Sequence, residues 1–333
     1  MKITLKDIAE ETGYSISTVS RVLNGSDKIS KQARREIYRT AKKLKYPVYR
    51  TLDGKKIIDS LKILFIVTGF HEGAFYSSLF YGMNRAAEKY NAQISFVFLN
   101  KPFKEILKKI RNVEKDKFEG LVLFAPEFQK EHYQQIKEEV PDKFPVISNG
   151  LIENPVVSTV TFDGYSGGFL AGEHFKKKGY ARCGIIRGPL EKTEARYRSN
   201  GFKDFINRND DMELLWSYNG DFTFESGVQA FQQFEEEPQK PRAIFASNDD
   251  MGHAFLEEAL DRGYKVPEEL ALISFDDLPI CQRHRPTISS IHTDYEKLGL
   301  VTIEKMKELL ANPEQQDGIL SLVPVHLNAR GSS

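Results

Sequence analysis

With 333 residues, 40% hydrophobic and 28% charged, the chain has the composition of a soluble globular protein with room for two domains and a small third. Two cysteines, Cys183 and Cys281, exclude a disulfide framework and a four-ligand zinc site and fit a reducing compartment. The opening MKITLKDIAEETG places charges where a secretory leader needs apolar residues, and no apolar run reaches membrane-spanning length, so a cytoplasmic protein without membrane contact is expected. Lysine plus arginine balances aspartate plus glutamate at 47 each, but residues 1–60 carry a net +7 and residues 61–333 a net −7. A short basic module on a larger acidic one is the arrangement of a polyanion-binding head on a body with another task.

The first 45 residues read as three short helices. Thr4 is an N-cap with Asp7 three residues on, Leu5, Ile8 and Ala9 form an apolar stripe, and Gly13 permits a left-handed turn. Ser15 caps a second helix with Val19, Val22 and Leu23 inward, stopped by Gly25. Ser30 caps a third with Ala33, Ile37, Ala41 and Leu44 inward and a basic outer face. Ala9, Gly13 and Val19 have helix-turn-helix spacing: a small residue for close approach, a glycine for the turn, a branched residue to lock the second helix. Many helical hairpins pack this way, and the basic surplus turns the reading toward DNA. The second helix would enter the major groove, with Ile16 and Ser17 at its exposed N-terminus, Arg21 as a bidentate guanine reader, and Tyr14, Ser15, Thr18 and Ser20 as phosphate-holding hydroxyls.

TLKDIAEETGYSISTVSRVLNG resembles the DNA-binding headpiece of the LacI/GalR family of bacterial transcription regulators, nearly position for position through Thr18-Val19-Ser20-Arg21-Val22. The resemblance implies DNA contacts that also include Thr4 and Asn24, and a helix-turn-helix domain over 1–47. Family members follow it with a hinge helix whose leucine enters the minor groove. Here the corresponding KYPVYRTLDG lacks the family's Asn and is about two residues shorter, which leaves Leu52 as the wedge and Gly54 as the end of a very short helix in a 48–60 linker.

Beyond residue 60, continuous apolar runs (KILFIV, QISFVFL, GLVLF, PVIS, CGIIRG, AIFAS, LALISF) alternate with amphipathic helices, the pattern of parallel sheets covered on both faces. The number of βα units points to two doubly wound lobes, whose ligands sit at strand carboxyl ends. The fold class is α/β behind an all-α head. Those strand ends read TGFHEGAFY, APE, NDD and DD, and no phosphate loop, nucleophile elbow or H-E-x-x-H pair is found. An enzyme is not expected, nor any cofactor or metal.

RYRSNGF, GDFTFESGVQAFQQF, AIFASNDDMG and LALISFDD are similar to LacI/GalR effector-domain segments. The resemblance implies a periplasmic-binding-protein-like core over 61–333, crossed by three strands: an N-lobe of about 61–160 plus 292–322 and a C-lobe of about 161–291 plus 323–333. It places an effector between the lobes, held by Arg198 of an R-x-x-G segment ending at Gly201, by Asp276, by Asn248 and Asp249, and by the aromatics Phe75 and Phe222. Asn248 serves equally well as a helix cap, and either aromatic as core. His71, Glu72 and Glu127 lie at strand-end loops without a matching family position. Thr293 stands where some relatives have a ligand-contacting glutamine. With no heptad-bearing extension after ARGSS, a homodimer on near-palindromic operator DNA is expected. The function expected is a repressor controlled by a small carbohydrate, because Asp276, Asn248 and Arg198 offer acceptors and donors for paired hydroxyls and Phe75 and Phe222 flat faces for a sugar ring. Alternatives are a purine-responsive regulator and a transport solute-binding protein, the latter having no use for residues 1–45.

Overall fold

A computed structural model describes residues 4–23, 29–44, 50–52, 55–57, 61–70, 73–113, 115–314 and 318–333. Its head is three helices, α1 (Leu5–Thr12), α2 (Ile16–Leu23) and α3 (Lys31–Lys43). Thr4 and Asp7 close a capping box at α1, and Gly13, in the left-handed conformation at φ 71°, donates its N–H to Ala9 O to end it. The Ser15 and Ser30 hydroxyls accept the Thr18 and Ala33 N–H groups at 3.1 and 3.2 Å, which caps α2 and α3 as read from the sequence. Ile8, Val19, Val22, Ile37 and Ala41 are fully enclosed where the three helices meet. Tyr38 donates its hydroxyl to Val22 O at 2.8 Å, fastening α3 to the end of α2.

The linker departs from expectation. Residues 50–52 are a strand, β1 (Arg50–Leu52), paired antiparallel with β2 (Lys55–Ile57) in the register Arg50↔Ile57 and Leu52↔Lys55. A helix of three or four residues does not repay its nucleation, and the intervening Asp-Gly sequence has the chemistry of a two-residue hairpin.

The body begins with β3 (Leu61–Val67), α4 (Ala74–Tyr90), β4 (Ala92–Phe98), α5 (Phe103–Ile110), β5 (Gly120–Phe124), α6 (Lys130–Glu139), β6 (Val146–Ser148) and β7 (Ser158–Phe162). It continues with α7 (Gly164–Lys177), β8 (Arg182–Arg187), α8 (Thr193–Asn207), β9 (Glu213–Asn219), α9 (Phe224–Glu236), β10 (Ala243–Ala246), α10 (Asp249–Asp261), β11 (Ala271–Asp276), α11 (Ile280–Arg283) and β12 (Ser289–His292). It closes with α12 (Tyr295–Ala311), β13 (Leu320–Val323) and β14 (His326–Asn328). Two six-stranded sheets result, ordered β13-β7-β6-β5-β3-β4 and β14-β12-β11-β10-β8-β9, parallel throughout except for β14, which runs antiparallel to β12.

Because strand side chains alternate between faces, a sheet covered on both sides must be apolar at every position. In β3, Ile63, Phe65 and Val67 pack toward α4 and α12, while Leu64 and Ile66 pack toward α5 and α6. In the second lobe Cys183, Ile185, Phe245 and Phe275 face α7 and α8, and Ile186, Ile244, Ala246 and Leu272 face α9 and α10. Each fully buried large apolar side chain contributes roughly 1.5–3 kcal/mol.

The chain passes between the two sheets three times, after Phe162, after His292 and after Val323. The resemblance implies boundaries near Val160, Ile291 and Val323, and the crossings follow Phe162, His292 and Val323. They bring the carboxyl ends of both sheets to face one another.

Candidate functional site

In the head, burial divides α2 into two faces. Val19, Val22 and Leu23 are inward, while Ile16, Ser17 and Arg21 are exposed, Ile16 at 49%. Ser20 and Thr18 are half-buried beside them. Ile16, Ser17 and Arg21 form the solvent side of a short helix presented by two others, a shape that fits a groove-reading helix. The hydroxyls are not all idle. Thr4 is engaged in its capping box, Tyr14 donates to Glu36 Oε2 at 3.2 Å, and the Ser15 Oγ lies 2.9 Å from Ser17 Oγ and 2.8 Å from Thr18 Oγ1. Asn24 lies outside the described residues, as do His71 and Glu72.

Between the lobes lies a cavity of about 110 Å³, several times the ~10–15 Å³ that one water requires. One wall comes from the first lobe and is aromatic: Phe75, at the start of α4, meets Phe124 at 5.5 Å and Tyr295 at 5.8 Å between ring centroids, and Phe162 meets Tyr295 at 5.4 Å. The facing wall comes from the second lobe and is polar: Lys192, Glu194, Arg198, Asn248, Asp250 and Asp276.

Arg198 is placed by helix packing. Gly201 lies against α7 so closely that a Cβ there would stand 1.9 Å from Tyr165 O, so the glycine of R-x-x-G is what lets α8 settle onto α7. From that position the guanidinium donates to Ser247 O at 2.7 Å, lies 3.8 Å from the Phe275 ring centroid, and reaches Asp276 with Nη2 3.2 Å from Oδ1. Asp276 ends β11 at φ 111°, and Asp277 follows at φ 57°. Non-glycine residues at such angles persist where the surroundings over-determine them, commonly at binding sites. Burial pushes the Asp276 carboxyl up to about 7, the nearby Asp249 and Asp250 adding to the shift and Arg198 opposing it.

Phe222 has φ 77°, and its ring rests on Gly188, where a Cβ would come within 2.2 Å of it. Arg198 and Lys192 stand 5.8 and 5.4 Å from its centroid. Asn248 combines both roles open to it. Its Oδ1 accepts the Met251 N–H at 3.1 Å and caps α10, its Nδ2 donates to Phe222 O at 2.9 Å, and the residue borders the cavity.

Asp249 is not brought to the cavity. It is fully enclosed, accepts from the Ser274 hydroxyl, from Ser290 Oγ at 2.7 Å and from the Leu278 N–H at 2.6 Å, and so ties α10 to β11, β12 and the loop between them. The neighbouring Asp250 faces the cavity instead. Glu127 is exposed away from the cavity lining, and Thr293 spends its hydroxyl on Asp276 O at 2.9 Å.

Among the lining residues that the sequence reading did not single out are Phe124, Phe162, Tyr295, Asn149, Lys192 and Glu194. Phe124 and Phe162 are the last residues of β5 and β7, where the strand-end rule points. Glu194 is one helical turn before Arg198 on the same face of α8. Glu194 is half-buried with its carboxylate turned inward, and burial raises its carboxyl pKa. Its Oε1 accepts the Leu151 N–H at 2.6 Å from the opposite lobe, and its Oε2 has no hydrogen-bond partner among the described residues. Asn149 Oδ1 is likewise unpartnered among them.

A helix-turn-helix head on a two-lobed cleft with unsatisfied polar atoms defines a ligand-controlled DNA-binding protein. Residues 4–47 match the family profile described as bacterial regulatory proteins, lacI family, and residues 173–333 match the periplasmic binding protein-like domain. The head thus carries the helix-turn-helix profile of the lacI family, and the body a periplasmic-binding-protein-like one. Residues 61–177 match a third profile, ABC transporter substrate-binding protein PnrA-like.

The ribose operon repressor of Escherichia coli (strain K12) is 27% identical, with 99% of each chain covered. Catabolite control protein A of Priestia megaterium is 26% identical, with 100% of each covered. The lac repressor dimer bound to operator and the anti-inducer ONPF superposes with TM-score 0.73 at 21% identity, covering 100% of this chain and 99% of that one. No described helix is long and apolar enough to cross a membrane.

Proposed function

We propose that the chain is a homodimeric, cytoplasmic transcriptional repressor whose operator affinity is set by a neutral carbohydrate held between the lobes. The observation that carries the ligand class is the set of buried acceptors around the cavity, Asn149 from the first lobe and Glu194 and Asp276 from the second. Glu194 Oε2 and Asn149 Oδ1 are buried acceptors without a hydrogen-bond partner among the described residues, and Asp276 Oδ1 faces Arg198 without hydrogen-bond geometry. Buried acceptors left unmade cost about 1–3 kcal/mol each, so the wall favours a ligand rich in O–H donors. The opposing Phe75, Phe124 and Phe162 supply flat apolar surface for the ring of a sugar.

A sugar phosphate or sugar acid would meet Glu194, Asp250 and Asp276 with Arg198 and Lys192 as the lining cations, an unfavourable balance for an anion. The relatives named for ribose and for catabolite control accord with this class. A purine would stack on the same aromatics and is the second reading.

The DNA contacts assigned are Thr4, Tyr14, Ser15, Ile16, Ser17, Thr18, Ser20, Arg21, Asn24 and Leu52. The effector contacts are Phe75, Arg198, Phe222, Asn248 and Asp276, to which the cavity adds Asn149 and Glu194. The cleft is read as a binding site without turnover. The two lobes are joined across it by Glu194 with Leu151 and by Arg196 Nη2 with Glu153 Oε1 at 2.9 Å. A ligand that replaces the first contact changes the lobe-to-lobe geometry beneath the DNA heads.

The test is a thermal-shift and calorimetric screen of the full chain against pentoses, hexoses, disaccharides, sugar phosphates and purines. A native-state ligand raises the melting temperature. Neutral sugars alone should bind, and the sugar that binds should alter affinity for a DNA duplex selected from a random pool. Binding of purines without sugars overturns the carbohydrate assignment.

A further inference from the structure

Outside the cleft, on the surface of the second lobe, three metal-ligating side chains converge from two elements that are 27 residues apart in sequence at their nearest ligands (257 and 284). His253 and Glu257 are one turn apart on α10, and His284 follows α11. One ligand atom of each lies within 4.8 Å of the other two. We propose that His253, Glu257 and His284 bind a divalent transition-metal cation, zinc above all, and thereby clip α10 to the segment after α11.

Two observations carry this independently. The first is the convergence itself. His253 Nε2 lies 3.1 Å from Glu257 Oε1, and the two imidazole rings stand 5.1 Å apart at 82°. Ligand atoms around a tetrahedral zinc with bonds of about 2.0–2.1 Å are about 3.4 Å apart, so the three need to close by about 1 Å or a little more. Glu257, with its side chain 48% exposed, is free to make that movement.

The second is the tautomer of His284. Its Nδ1 is 2.9 Å from Pro286 O. A carbonyl oxygen can only accept, so Nδ1 carries the proton, and in the neutral ring Nε2 presents the lone pair. This is the backbone-carbonyl partner that metal-ligating histidines commonly have, and it orients the ring as well as fixing the tautomer.

Two imidazoles and a carboxylate are borderline donors that suit zinc, cobalt, nickel or copper and do not suit magnesium or calcium. Three protein ligands at a surface leave the fourth position to water. The spacing H-x-x-x-E on α10 was visible in the sequence, but His284 joins it through the fold.

The full chain, stripped with chelator, is titrated with Zn²⁺ against a chromophoric competitor and with Co²⁺ by visible absorption. One ion per chain is expected, with a d–d band for Co²⁺ and a rise in melting temperature with Zn²⁺. His253→Gln and His284→Gln should each weaken binding at least about 100-fold, since even loss of an outer-shell partner costs 10–100-fold. Glu257→Gln, at a half-exposed position, should weaken it without disturbing the fold, and His326→Gln should leave it intact. Absence of the Co²⁺ band and of the Zn²⁺ shift, or binding undiminished in both histidine variants, overturns the site.

Discussion

In the proposed site, the Arg198–Asp276 pair is placed to govern both ligand selectivity and pH response. Arg198 is fixed by Ser247 O and the Phe275 ring before any ligand arrives, so little side-chain entropy is left to lose on binding. Truncating either residue strands its partner. Arg198→Ala and Asp276→Ala should therefore each weaken carbohydrate binding at least about tenfold by calorimetry, with operator affinity in the absence of sugar near that of the parent chain. Unchanged sugar affinity in both places the site elsewhere.

The Asp276 carboxyl, raised by burial to about 7, adds a pH signature. A raised acid binds its proton in the folded state while the unfolded state has released it. The stabilisation from the neutral form is thus complete below the ordinary carboxylate pKa and lost as pH rises through about 7. A sugar hydroxyl donating to Asp276 favours the ionised form. Sugar affinity should accordingly fall as pH drops from 8 to 6, approaching about tenfold per unit below 7, and Asp276→Asn should flatten the profile. A parent profile already flat over that range refutes the assignment of Asp276 as acceptor.

At the level of elements, what could be read in advance followed from how much apolar surface an element buries. The three head helices, their caps and the long strands of both lobes carried strong periodicity. By contrast α6 was not read, because KEHYQQIKEE buries only Tyr133 and Ile136, and β9 is an edge strand with Trp216 as its one fully buried residue. The short helix implied by the family likeness gives way to paired strands, because the chain's own Asp-Gly dipeptide favours a turn over a three-residue helix. The resemblance implies Asp249 as a ligand contact beside Asn248, but it does not border the cavity. At the start of α10 it turns inward to three donors, a direction set by tertiary contacts and invisible to spacing.

Two expectations belong at this scale. Gly201→Ala should destabilise the body by about 1–3 kcal/mol by overpacking α7 against α8, and should weaken sugar binding because Arg198 is displaced. A melting temperature equal to the parent's would show that the helices can part freely. Leu52→Ala should reduce both operator affinity and DNA bending if the β1–β2 segment meets the minor groove. Unaltered bending and affinity would make the segment a tether.

At the scale of the molecule, charge and symmetry decide how the head is used. The net +7 of residues 1–60 on a body of net −7 concentrates phosphate attraction in the head, while the body repels DNA. One head offers a helix of eight residues, Ile16–Leu23, and reads only a few base pairs. Two heads related by a two-fold axis read a near-palindrome with half-sites about one helical turn, roughly 34–36 Å, apart. Sequences selected from a random pool by the full chain should show that symmetry. Arg21 sits on the exposed face of α2, opposite the buried Val19 and Leu23, where a guanidinium can address guanine O6 and N7 together. Arg21→Ala should therefore cost roughly 1–3 kcal/mol on the selected operator and much less on random duplex, measured by fluorescence anisotropy at one fixed salt concentration. The salt dependence separates the two possible roles: loss of a phosphate contact lowers the slope of log K against log salt by about one and weakens both DNAs alike. An equal loss on operator and random duplex would make Arg21 a backbone contact and leave base readout to Ile16, Ser17 and Ser20.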